Sequence, residues 1–122
     1  MTRFVTGIDH VQLAMPKGAE EQARAFYSGV MGLTEIPKPA NLAVSGGCWF
    51  EGGSAHIHLS GESDYVPPET AHPALLVGDL AAFRAHLAEQ GVAFADGKPL
   101  EGYLRGDIRD PFGNRIEIMQ RL

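Results

Sequence analysis

His10, His58, His72 and Glu117 are the residues of this 122-residue chain best suited to chemistry. They stand in IDHVQLAM, AHIHLSG, AHPALLV and NRIEIMQ, each a short run of alternating apolar and polar residues. Three imidazoles and a carboxylate suit a divalent cation, and the mix fits Zn²⁺, Ni²⁺, Co²⁺, Mn²⁺ or Fe²⁺ without choosing among them. A lone histidine on a strand is more often a hydrogen-bonding or surface residue than a ligand. Repetition is what argues for ligation here, because the four occupy matching places in two similar halves.

The elements that would position them follow from periodicity. Gly7 to Met15 alternates as a strand, with Val11, Leu13 and Met15 on one face and His10, Gln12 and Ala14 on the other. GAEEQARAFYSGVMGL reads as a helix with a stripe of Ala23, Phe26, Tyr27 and Val30, acidic at its start and closed by Gly32. Short strands are predicted at Leu33–Ile36, Gly47–Glu51 and Ala55–Ser60. The second half repeats the plan: strand Pro73–Val77, then a helix with Asp79 as N-cap and Leu80, Phe83 and Leu87 as its apolar stripe. Strands Val92–Ala95, Tyr103–Arg109 and Asn114–Gln120 complete it, the last two joined by a turn at Asp110-Pro111-Phe112-Gly113. Ile57, Leu59, Ile116 and Ile118 should pack under the helices. His58 and Glu117, one residue out of phase, then face away from them, as His10 and His72 do.

This predicts an α+β domain of two βαβββ modules, at about 5–60 and 72–121, with 61–71 as linker. Residues 37–47 are expected to form a loop over the site. Trp49 and Phe50 share one strand, so one packs in the core and the other lines the cleft, with Tyr103 opposite. Arg105, Arg109 and Arg115 offer charge for an anionic substrate group, or pair with Asp107, Asp110 or Glu117. His56 is placed at the cleft rim and His86 toward solvent. Cys48 is read as a small buried residue.

Composition narrows the function. Ten basic residues against fifteen acidic ones give a net charge of -5. No basic cluster stands out, so neither nucleic acid nor an anionic membrane is an expected partner. One cysteine excludes an internal disulfide and fits a reducing cytoplasm. No apolar run has the length of a signal peptide or a membrane span.

IDHVQLAM, ARAFYSGVMGL, AHPALLVGDL and above all RDPFGNRIEIMQ resemble the vicinal oxygen chelate superfamily, which includes glyoxalases, extradiol dioxygenases and bleomycin-resistance proteins. The resemblance covers nearly the whole chain. It implies a curved eight-stranded cleft around a divalent metal, completed in a homodimer when the chain is short. By that likeness His10, His58, His72 and Glu117 are the metal ligands, and Glu117 doubles as the catalytic proton-transfer group. Arg105, Trp49, Tyr103 and His56 would line the small-molecule substrate. Subfamily marks differ. Gln12 stands where fosfomycin enzymes carry Thr, Asp107 where they carry Tyr, and Ala14 where bacterial glyoxalase I carries Arg. The expected function is therefore metal-dependent lyase, isomerase or dioxygenase chemistry on an oxygenated metabolite. The alternatives are a small-molecule (antibiotic) binding protein without turnover and a scaffold that binds metal only structurally.

Overall fold

The computed structural model describes residues 2–122. Its first half is β1 (Val11–Pro16), α1 (Glu20–Arg24, continued as a π-helical turn over Ala25–Val30), β2 (Thr34–Ile36), α2 (Ala40–Ala43), β3 (Cys48–Gly52) and β4 (Ala55–Glu62). The second half is β5 (Ala74–Leu76), α3 (Leu80–Glu89), β6 (Ala95–Asp96), β7 (Tyr103–Arg109) and β8 (Arg115–Arg121). Each half forms its own four-stranded mixed sheet, in the orders β1-β4-β3-β2 and β5-β8-β7-β6. In each, the first and last strands run parallel and the remaining pairs antiparallel. A parallel pair requires a crossover, and the helix after the first strand supplies it. The architecture is thus the α+β repeat expected from the alternation.

Alternation also sets the faces. Met15, Phe50, Ile57 and Leu59 of the first sheet, and Ile108, Ile116 and Ile118 of the second, are buried with Ala23, Phe26, Tyr27, Leu80 and Leu87 of the helices. α3 is capped as predicted, with the Asp79 side chain accepting from the Ala82 amide at 3.0 Å. Gly106 in β7 is an opening rather than a turn. A Cβ there would lie 2.3 Å from the Phe94 ring, which fills that space.

Several boundaries differ from the periodicity. β1 begins at Val11 rather than Gly7, leaving 2–10 without regular pairing. The first helix widens where the Met31 amide bonds the Phe26 carbonyl at 2.8 Å, five residues back, and consecutive Phe26 and Tyr27 both become buried. The loop at 37–47 contains the single turn α2. His86 does not simply face solvent: half-buried, it bonds through Nε2 to the Val30 carbonyl at 2.7 Å.

A polar seam joins the halves. The buried Asp110 carboxylate receives the Tyr27 hydroxyl at 2.7 Å, the Asn114 side-chain amide at 2.8 Å, and the backbone amides of Phe112 and Asn114. Asn114 in turn donates to the Ala14 carbonyl of β1 at 2.8 Å and accepts from Tyr65. The DPFGN stretch therefore ties the last hairpin to the first module. Burial and the Asp110 carboxylate push the Tyr27 hydroxyl far above the ordinary phenol range, so it remains a proton donor.

Candidate functional site

The open face of the first sheet carries a row of rings. β1 pairs with β4 so that Gln12 lies beside His58, and β3 pairs with β4 so that Trp49 lies beside His58. The His10 ring, just before β1, stacks on His58 at 4.0 Å, and His58 stacks on Trp49 at 4.2 Å. Phe50 is the buried neighbour, so Trp49 is the aromatic that reaches the cleft. His58 is nearly buried and, among the described residues, has no hydrogen-bond partner for its ring nitrogens. Burial first, then the neighbouring His10, lowers its pKa and favours the neutral imidazole, the form that ligates metals. The exposed Asp9 carboxylate bonds His10 Nδ1 at 2.9 Å, which leaves Nε2 as the other ring nitrogen able to ligate. His56 lies on the rim, 3.6 Å from Glu51.

The equivalent face of the second sheet carries charge. Glu117 on β8 is buried, receiving His72 Nε2 at 3.0 Å on one oxygen and Arg105 Nε at 2.7 Å on the other. The Arg105 bond, and next the His72 bond, hold the Glu117 carboxyl below the usual carboxylate range against the opposing effect of burial. Arg115 pairs with Asp107 at 3.0 Å, and Arg109 donates to the Gly113 carbonyl. The arginines are thus already engaged on their own sheet.

The structure brings His10 to His58 and His72 to Glu117. Among the described residues, no three His, Cys, Asp or Glu side chains converge to hold a metal ion within one chain. Each sheet therefore presents two of the four candidate donors. Trp49 and Tyr103 are not opposite one another: Trp49 lines a groove of about 550 Å³ on the first sheet with His10, His56 and His58, and Tyr103 lies with Arg105 along the second. Sequence reasoning missed two groups at the first groove. Asp9 was hidden because strict alternation sends it to the wrong face, and Lys38 because it sits between two prolines in a loop.

A family model described as Glyoxalase/Bleomycin resistance protein/Dioxygenase superfamily matches residues 7–118. The chain belongs to that superfamily. Over its whole length it is 44% identical to a glyoxalase family protein from Bacillus anthracis, also covered in full, with a TM-score of 0.95. At lower identity it shares the fold of TnmS3, an antibiotic binding protein from Streptomyces sp. CB03234 (23%, 99% and 100% of the two chains, TM-score 0.75). It likewise shares the fold of a lactoylglutathione lyase from Agrobacterium tumefaciens (19%, 97% and 96%, TM-score 0.73). A search of curated proteins returned no match.

Proposed function

We propose that the chain is a divalent-metal-dependent enzyme of the glyoxalase/dioxygenase type, acting on a small metabolite with two adjacent oxygens. His10 and His58 of one copy and His72 and Glu117 of a second copy would hold the cation, which is Zn²⁺, Ni²⁺, Co²⁺, Mn²⁺ or Fe²⁺. The observation that carries this reading is the division of the donors into two half-sets on equivalent open faces.

Two further features support assembly of a homodimer. β1 and β5 each have a free edge in their sheets. Ahead of β1 in the chain, Phe4, Val5 and Ile8, each at least 85% exposed, form an apolar segment suited to burial against a second copy.

When bound, the cation supplies Lewis-acid polarisation of the substrate oxygens. The chain's own groups do the rest. His58 offers a neutral nitrogen from a packed ring. Asp9 orients His10. Arg105 keeps Glu117 ionised, which makes that carboxylate a strong ligand first and a proton acceptor only once Arg105 turns to other oxygens.

Metal analysis of protein purified without added metal tests this. The wild type should retain about one ion per chain, and His10→Ala and Glu117→Gln should retain none. Mixing the two variants should restore one intact site per mixed pair, since one copy keeps His10 and the other Glu117. Sites built within one chain would stay empty on mixing. Binding of an antibiotic-like small molecule without turnover is the second reading, favoured by the absence of a three-donor cluster among the described residues of one chain. A wild type that never retains an ion would select it.

A further inference from the structure

Lys38 is the only lysine or arginine lining the groove that holds His10, His58 and Trp49, among the described residues. It lies two residues past the end of β2, and its ammonium lies 6.0 Å from the Trp49 ring centroid, at the far end of the row of rings from His10. It is half-buried, and among the described residues no carboxylate comes within 4.0 Å of it.

One of its three protons goes to the Gly46 carbonyl, across the loop that contains α2. That loop is fixed in place. A Cβ on Gly47 would lie 2.4 Å from the Leu59 carbonyl oxygen, and the Glu20 carboxylate receives the Gly47 amide. A neutral donor would satisfy the Gly46 carbonyl as well. An ammonium held in this groove beside the Trp49 ring, with two further protons and no carboxylate within 4.0 Å, can take an anionic partner there.

The geometry points to Lys38 as a specificity-determining residue that binds a carboxylate carried by the substrate, on the same molecule whose paired oxygens reach the cation. This rests on the metal site proposed above. A single half-buried ammonium balances a monoanion, which favours a carboxylate over a doubly charged phosphate.

Comenic acid and kojic acid test it. Both are hydroxypyrones with the same pair of chelating oxygens, and the first carries a ring carboxylate where the second carries a hydroxymethyl group. Each is titrated into protein loaded with Co²⁺, whose visible spectrum reports ligand exchange. The wild type should prefer comenate by about tenfold, roughly the contribution of one charge-assisted hydrogen bond. Lys38→Gln keeps a donor for Gly46 but loses the charge, so the preference should fall to about one with kojate affinity unchanged. Lys38→Arg should retain it. A wild type without the preference, or a Lys38→Gln protein that keeps it, overturns the assignment and leaves the metal site standing. Failure to retain Co²⁺ removes both.

Discussion

The two modules share a strand order and a crossover helix, yet their open faces differ in kind. The first presents stacked rings, with His10, His58 and Trp49 crossing three neighbouring strands and few fixed charges among them. The second presents ion pairs, with Glu117 between Arg105 and His72 and Asp107 beside Arg115. Repetition of a backbone plan has therefore not repeated the chemistry. One face offers neutral nitrogen and aromatic surface, the other an ionised carboxylate with its own counter-charge. The candidate donors are thus divided, two imidazoles on the first face and an imidazole with a carboxylate on the second.

The sharpest way to break the comparison is at the seam that holds the faces in relation. Asp110→Ala would strand the Tyr27 hydroxyl, the Asn114 side chain and two backbone amides, and should cost about 3 kcal/mol. Urea unfolding should show a lower midpoint with an unchanged slope. Next come matched changes on the two faces of the metal-free protein, Glu117→Gln and His58→Ala. Each should cost about 1 kcal/mol, the first through charge-assisted hydrogen bonds and the second through stacking. Raising NaCl to about 1 M should shrink the first cost and leave the second, because salt screens charges and not ring contacts. Equal salt responses would show that the faces do not differ as described.

The smallest effect is spectroscopic. Trp49 is the sole tryptophan and lies against His58. A protonated imidazole stacked on indole quenches its emission by accepting an electron. Because burial, and next His10, lower the pKa of His58 from the ordinary 6.5, the drop in emission on acidification should have its midpoint below that value. His58→Ala should abolish the step.

What was legible in the sequence was what periodicity encodes. β7 lies over Tyr103–Arg109 as read, because Ile108 alternates with charged neighbours and the DPFG turn fixes its end. The N-cap of α3 and the buried faces of β4 and β8 follow from the same local chemistry. β1 was read four residues too long at its start because sequence pattern says nothing about whether a neighbouring strand is present to pair. The π-helical turn was invisible, since moving hydrogen bonds by one residue leaves the spacing of apolar side chains almost intact. At the candidate site, residue types were legible and partners were not. Arg105 meets Glu117 only through the pairing of β7 with β8, and Trp49 meets His58 only through the β3–β4 register.

Gly106 carries a consequence for anyone who would reshape this protein. The ring of Phe94 occupies the volume where every other amino acid begins, so positions 94 and 106 form a single unit of inheritance. A library that varies β7 to retune the cleft must hold that glycine fixed or vary its aromatic partner with it. The neighbouring Arg105 and Asp107 are tied to Glu117 and Arg115, so changing either also changes the charge balance of the open face.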